Sequence, residues 1–288
     1  MKKKVSVFDV IAVIFLLVIA VIFIYPLWTV FVAAFSEPVD YVKNPLALFP
    51  EHFTIRNFKL LLSTSVIWVG YKNTLIYVII GTAINVCMTF VMAYGFCMKG
   101  LPYKRFFSLF VTLTLFFSGG MVPTYLVVKS YGLLDSIWAL VLPGAIGTYN
   151  LLITRTYLQQ QIPDELLEAA EIDGAGPLYT FWKIVTPLSK PILAVITLYY
   201  ASSHWNGWYD AMVYLQDNGK KPLQLVLRSM LITEEMLTKN GTESVEQALY
   251  QITYNYAVIM IAILPLLMVF PFAQKFFVKG TMIGAIKG

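Results

Sequence analysis

The sequence predicts an all-α, polytopic membrane protein with six transmembrane helices. It has 288 residues, of which 58% are hydrophobic and 13% are charged, whereas a typical soluble domain carries about 25% charged residues. The mean hydropathy is +0.71, and several charge-free runs exceed the ~18 residues that mark a membrane-spanning helix. These observations exclude a disordered chain and argue against a water-soluble globule. Six spans and their loops use up the length, so a separate catalytic domain is not expected.

Six charge-free runs are the candidate spans: 10–34, 73–98, 106–128, 136–153, 191–209 and 252–274. The run 10–34 follows a lysine-rich amino end that resembles a signal peptide, but it is too long for a signal-peptide core and is predicted to be a retained first span. If this end is cytoplasmic and each run crosses once, the cytoplasmic segments hold 12 of the 21 basic residues: Lys2, Lys3, Lys4, Lys99, Lys104, Arg105, Arg155, Lys183, Lys190, Lys275, Lys279 and Lys287. This bias predicts both termini inside the cell.

The net charge of +5 is therefore interpreted as a topology signal, and no nucleic-acid partner is expected. None of the six runs contains Asp, Glu, Lys or Arg. Ion-coupled carriers keep such groups at membrane depth, so the sequence disfavours a secondary transporter.

Two features interrupt the simple pattern of spans. The third run contains Ser118-Gly119-Gly120 followed by Pro123, which should bend or interrupt a helix. Both a packing kink and a broken helix that lines a substrate path fit this motif. The short apolar stretch 222–231 is predicted to be an interfacial helix on the outer face.

The longest cytoplasmic connection runs from about Arg155 to Lys190 and carries helix signals of its own. Pro163, Asp164 and Glu165 mark a helix start, because proline suits the first turn and carboxylates suit the positive end of the helix dipole. The run Gly174-Ala175-Gly176-Pro177 should end this helix. A second short helix is predicted over 178–185. Such a protruding pair of helices can pass force into the spans only if another protein grips it.

At these residues the chain resembles the EAA loop of bacterial ABC importer permeases. The matching positions are Glu168, Ala169, Ala170, Asp173, Gly174, Ala175, Phe181, Ile184, Pro187 and Pro191. Further matches are Asn57-Phe58, Leu60-Leu61, Asn73-Thr74-Leu75, Trp205-Asn206 and the tail 279–288. Together they resemble the carbohydrate-uptake branch, the maltose-permease-G-like subunits of binding-protein-dependent importers. Ser118-Gly119-Gly120 and 222–228 resemble the subgroup linked to complex or acidic oligosaccharides.

The resemblance implies a type I ABC importer permease fold. Residues 1–72 would form the N-terminal span and outer loop, 73–275 the permease core with its coupling loop at 161–190, and 276–288 a cytoplasmic tail. It also implies that Glu168, Ala169, Ala170, Asp173, Gly174 and Ala175 couple the chain to an ATPase, and that Gly284, Ala285 and Lys287 lie near that ATPase.

The implied protein partners are a second permease subunit in a heterodimer, two ATP-binding cassette subunits and an extracytoplasmic solute-binding protein. The binding protein would face the loops 37–72 and 212–251. The substrate would be an oligosaccharide, and the chain would lie in the lipid bilayer of a bacterial cell membrane. No cofactor is expected, because the partner subunits would bind ATP.

Possible substrate-path residues concentrate in the outer half of the fifth run: His204, Trp205, Asn206 and Trp208, with Asn150 in the fourth run. Sugars present polar edges and apolar faces, which suits this mixture of side chains. The rival interpretation is an aromatic belt that anchors the helix at the interface, with Asn206 bonding between helices.

No catalytic constellation is found in the sequence. His52 and His204 are the only histidines, and neither a zinc-protease motif nor a phosphate-binding loop is present. The chain is therefore predicted not to be an enzyme. A permease for a non-sugar solute, a secondary transporter and an intramembrane enzyme stay open as alternatives.

Overall fold

The computed structural model describes residues 7–98, 100–239, 250–268 and 271, with the side chains of 233–239 left out. This part of the chain is mostly helical and contains no β-strand. In chain order the helices are α1 (Val7–Ala34), α2 (Pro38–Lys43), α3 (Arg56–Ser63), α4 (Ser65–Cys97), α5 (Lys104–Leu113), α6 (Met121–Ser130), α7 (Ile137–Val141), α8 (Thr148–Gln161), α9 (Asp164–Ile172), α10 (Pro177–Thr180), α11 (Thr186–Leu188), α12 (Lys190–Asn206), α13 (Tyr209–Tyr214), α14 (Leu223–Lys239) and α15 (Tyr250–Met268). A π-helical turn, Phe181–Val185, joins α10 to α11, and a 3₁₀ turn covers Asn218–Lys220.

Three of the described helices, α1, α4 and α15, are long and apolar enough to cross a membrane. They correspond to the first, second and sixth predicted spans, although 269–274 of the sixth lie outside the described residues except for Pro271. The fifth run is α12, which forms a pair with the preceding segment Pro177–Leu188 that is bent by 80°.

Neither the third nor the fourth predicted span is one continuous helix. The third is divided into α5 and α6, and its second half begins after Gly120, whose φ of 85° is a left-handed conformation that favours glycine. The fourth is divided into α7 and α8 at Pro143-Gly144, where proline cannot supply the N–H of a helical hydrogen bond. The predicted interruption at Ser118-Gly119-Gly120 is therefore confirmed, and a second break was not foreseen.

The chain divides into two compact units, Met1–Ile67 with Leu227–Pro265, and Trp68–Val226 with Leu266–Gly288. In the first unit, the ring of Phe35 stacks on those of Phe53 and Phe58 at 5.2 and 4.6 Å between centroids. Asn57, buried on α3, donates a hydrogen bond of 3.0 Å to Thr253 Oγ1 on α15. These contacts hold the segment between α1 and α4 together and fasten it to α15.

In the second unit α4 is the central helix. The apolar stretch predicted as an interfacial helix does form a helix, the first turns of α14, but its start is buried against α4. Leu223 is fully buried, and its backbone N–H donates to Thr74 Oγ1 at 2.8 Å. A Cβ at Gly70 would lie 3.1 Å from the Leu223 Cα. The two backbones approach closely, so this turn packs on protein, which corrects the interfacial prediction for Leu223–Val226.

Candidate functional site: the coupling loop and the broken spans

Helix α9 begins and ends where the sequence predicts. Pro163 is extended at the N-cap, and Asp164 and Glu165 occupy the first turn. At the other end, the N–H of Gly174 donates to the Glu171 carbonyl at 3.0 Å and the N–H of Ala175 to the Ala170 carbonyl at 2.9 Å. This pair of bonds is a Schellman motif. It requires a left-handed residue, which is Gly174 with a φ of 77°.

The six predicted coupling residues divide between two environments. Glu168, Ala169, Asp173 and Gly174 are exposed, Ala175 is partly exposed and Ala170 is buried. Ile172 follows on the exposed side with 86% of its surface accessible. The helix therefore has one edge held by the protein and another edge open for contact.

Leu167 of α9 packs against a hydrophobic cluster that joins the loop to α4 and α8. Its buried members are Phe90, Ala93, Phe96, Leu151, Leu158, Ile162, Phe181 and Val185. Phe181 is the link, because its ring lies 5.1 Å from those of both Phe90 and Tyr94. Phe181 thus places a side chain of the loop in direct contact with α4.

The loop is also continuous with α12. The hydroxyl of Thr186 donates to the Phe181 carbonyl at 2.8 Å across the π-helical turn, and Ser189, which precedes α12, is fully buried. The loop is thus connected to the predicted spans in two ways, through side-chain packing and through the chain itself.

The four predicted path residues of the fifth run do not converge on one surface. Trp205 is buried, with Tyr71 as a ring neighbour at 6.3 Å. His204 fills the space beside Gly81. Asn206 donates to the Ser202 carbonyl of its own helix at 2.9 Å, and Trp208 packs against the core cluster around Tyr77, Ala211, Leu215 and Leu225.

Asn150 lies in a different setting. A groove of about 540 Å³ is lined by Thr114, Leu115, Gly147, Thr148, Tyr149, Asn150 and Tyr199. It collects residues from both broken spans and from α12, and its lining carries no charged side chain. Sequence reasoning singled out Asn150 but missed Tyr149 and Tyr199, since nothing in the sequence showed that both breaks meet.

The other end of the second unit is held by an ion pair that the sequence did not reveal. Lys220 Nζ lies 2.6 Å from Asp135 Oδ2, and Asp135 Oδ1 accepts the N–H of Asp217 at 3.0 Å. The hydrogen bond from Lys220 lowers the pKa of Asp135 below its ordinary value, and Asp135 in turn raises the pKa of Lys220. Asn73 donates to the Gly219 carbonyl at 2.8 Å, and Tyr77 to the Lys220 carbonyl at 2.6 Å, so α4 holds the same loop.

The described residues contain no cluster of side chains that could hold a metal ion.

No protein-family model matches the chain. The chain is 39% identical to Protein LplC of Bacillus subtilis over 286 residues, which are 99% of this chain and 97% of that protein. It is also 39% identical over 287 residues to the polygalacturonan/rhamnogalacturonan transport system permease protein YtcP of the same organism, with 98% of each chain covered. The chain belongs to the carbohydrate ABC importer permeases.

A solved structure agrees with this assignment. The permease matches a chain of a bacterial ABC transporter involved in the import of the acidic polysaccharide alginate, with a TM-score of 0.82 and 29% sequence identity. The match covers 96% of the permease and 99% of that chain. The membrane location, the transport role and the permease fold expected from the sequence are therefore confirmed at the level of the family.

Proposed function

We propose that this permease imports fragments of an acidic polysaccharide through a path that it forms with a second permease subunit in the bacterial cytoplasmic membrane. Two relatives support this choice of substrate, since one is named for polygalacturonan and rhamnogalacturonan and the other comes from an alginate importer. An arabinooligosaccharide permease of Halalkalibacterium halodurans is less similar, at 25% identity. A solute-binding protein outside the cell delivers the substrate, and two ATP-binding subunits inside supply the energy.

The observation that supports the coupling mechanism is that α9 has one exposed side and one side packed against the protein. The exposed edge, with Glu168, Ala169 and Ile172, docks in a groove of the ATPase subunit. Glu168 meets basic groups there, and the small Ala169 permits close approach. Burying Ile172 on docking contributes about 1.5–3 kcal/mol to the free energy of binding. This helps the contact to persist while the ATPase moves α9.

The buried edge passes the movement on. Closure of the ATPase pair on ATP displaces α9, and Phe181 together with the bent connection to α12 converts that displacement into movement of the spans. Asp173, Gly174 and Ala175 keep the end of α9 in shape during this movement. The tail residues Gly284, Ala285 and Lys287 lie outside the described residues; we propose that they reach the ATPase interface. A deletion of 284–288 that leaves ATPase stimulation unchanged would contradict this role of the tail.

Uptake by the reconstituted complex tests the proposed function. Proteoliposomes with the binding protein outside and ATP inside should accumulate radiolabelled trigalacturonate or an alginate trisaccharide, and omission of ATP or binding protein should abolish uptake. Accumulation that persists without ATP and follows an imposed ion gradient would indicate a secondary transporter. Uptake of arabinotriose with rejection of both acidic sugars would overturn the substrate class and leave the ATP-driven mechanism standing.

A further inference from the structure

The two broken spans meet inside the membrane. From Lys104, α5 rises about 15 Å to its end at Leu113, and Thr148 lies about 10 Å along α8 from Arg155, the charged residue of that helix, at 1.5 Å per residue. Both breaks therefore fall inside a hydrocarbon core of about 30 Å. They are joined by a hydrogen bond of 2.8 Å between Thr114 Oγ1 and Thr148 Oγ1.

Irregular backbone at this depth restricts what can face it. All residues of 114–120 are exposed in this chain. The N–H groups of 114–117 donate to the carbonyls of Val111, Thr112 and Leu113 in irregular turns, but none of the described hydrogen bonds reaches the carbonyls of 114–119. Lipid tails offer no hydrogen bonds, so non-helical backbone occurs at membrane depth only where it contacts protein or lines a water-filled cavity. The surface around Thr114 therefore does not face lipid.

The side chains on this surface suit a sugar. Tyr149 is 58% exposed and Tyr199 is 39% exposed, and their rings lie 6.3 Å apart at an angle of 44°. Ligand sites typically combine aromatic surface with a few placed polar groups, which Thr148 and Asn150 supply here. Because the lining has no charged side chain, the surface would contact the face of a sugar ring rather than a carboxylate.

A buried frame fixes the position of both tyrosines. The backbone N–H of Gly147 donates to the Tyr200 hydroxyl at 2.8 Å, and that hydroxyl also lies 2.6 Å from Thr89 Oγ1. Tyr200 is buried, so α4, α8 and α12 are tied together directly beside the exposed pair. The aromatic surface is therefore preorganised.

We propose that Tyr149, Tyr199, Asn150 and Thr148 form a sugar-ring subsite on the wall of the translocation path. This inference rests on the proposed transport function and assigns a substrate contact to this subunit in addition to any in its partner. The subsite contacts a pyranose ring by its apolar face and hydroxyl groups, without regard to the charge of the sugar.

Thiol labelling tests the wall without any sugar. In a background with Cys87→Ser and Cys97→Ser, the variants Tyr149→Cys and Tyr199→Cys should react with a hydrophilic thiol reagent in at least one nucleotide state of the complete complex. Ile79→Cys is the matched control, because Ile79 is 66% exposed but lies on the unbroken helix α4, and it should resist the reagent. Resistance of both tyrosine positions in every nucleotide state would mean that the partner subunit covers this surface and would overturn the inference.

Uptake measures the sugar contact itself. Tyr149→Ala and Tyr199→Ala should each lower the saturating uptake rate of whichever trisaccharide the wild-type complex accepts by roughly tenfold, the size of a lost ring contact. Tyr131→Ala, at a residue that is 76% exposed outside the groove, should leave uptake unchanged. Normal uptake by both groove variants beside an active wild type would overturn the subsite alone. A wild type without ATP-dependent uptake would overturn the proposed function. The labelling result would still decide whether the surface at Tyr149 and Tyr199 is accessible to water.

Discussion

The imidazole of His204 occupies the space that a side chain at Gly81 would need. A Cβ built at Gly81 would lie 2.5 Å from His204 Nε2 and 2.6 Å from His204 Cε1. Helices α4 and α12 therefore contact each other through a glycine and a histidine, and His204 acts as a packing residue at this level of the bundle.

We predict that Gly81→Ala destabilises the second unit, because overpacking a core contact costs about 1–3 kcal/mol. The thermal unfolding of the detergent-purified complex should shift to lower temperature. Gly95→Ala is the matched control on the same helix, since a Cβ there would meet nothing within 4 Å. The double variant Gly81→Ala with His204→Ala should recover much of the loss. Equal effects of the two glycine variants would contradict the contact.

The glycines of the coupling loop offer a second matched pair. A Cβ at either Gly174 or Gly176 would meet open space, but Gly174 has a φ of 77° and Gly176 a φ of −67°. Left-handed backbone costs a residue with a Cβ about 1–2 kcal/mol. Gly174→Ala should therefore weaken ATP-dependent uptake and Gly176→Ala should not.

Gly174→Asp adds a charge to the same strain and should abolish uptake while the subunit still inserts into the membrane. Membrane fractionation and binding of the ATPase subunit distinguish loss of coupling from loss of the protein. Normal uptake with Gly174→Asp would remove this turn from the mechanism.

Phe181 is predicted to transmit movement from the loop to α4. Phe181→Ala removes a ring that is packed against Phe90 and Tyr94, and core Phe→Ala changes cost about 3–5 kcal/mol. If the chain still assembles, ATP hydrolysis should continue while uptake falls. The ratio of sugar transported to ATP hydrolysed is the measurement, and an unchanged ratio would exclude transmission through this ring.

The sequence predicted α9 closely because its start and end depend on local chemistry. Pro163, the two following carboxylates and Gly174 each act within one helical turn, so the pattern alone defines the helix. The same local reasoning predicted the interruption before Pro123. These features need no knowledge of what packs against them.

The groove and the ion pair of the second unit depend on contacts between distant segments. Tyr149 and Tyr199 are 50 residues apart, and Asp135 and Lys220 are 85 residues apart. Hydropathy also hid the break at Pro143-Gly144, because apolar residues surround it on both sides. The residue types of His204 and Trp205 suggested that they line a substrate path. Only the packing showed that both side chains contact the protein.

The ion pair between His52 and Asp40 should make the outer loop sensitive to pH. Asp40 Oδ2 lies 2.7 Å from His52 Nδ1 and raises the pKa of His52 above its ordinary 6.5. The stabilisation is complete below pH 6.5 and is lost as the pH rises through the higher pKa of the folded protein.

Hydrogen exchange at two neighbouring amides can report this loss. The Glu37 N–H donates to the His52 carbonyl at 3.2 Å and the Thr54 N–H to the Phe35 carbonyl at 2.9 Å. After correction for intrinsic rates, both amides should exchange faster above this pKa. His52→Gln should remove the pH dependence, and a variant that keeps it would assign the effect to another group.

The most direct measurement is a crosslink from Ile172→Cys, in a background without the two native cysteines, to the ATPase subunit in native membrane vesicles. We expect one product with the combined mass of permease and ATPase, formed with a yield that changes on addition of ATP. Tyr131→Cys, on a residue that is 76% exposed and predicted to lie on the opposite side of the membrane, should give none. Modification of the cysteine at 172 by an impermeant reagent added to intact cells, or a crosslink to the binding protein in its place, would contradict the proposed role of the coupling loop.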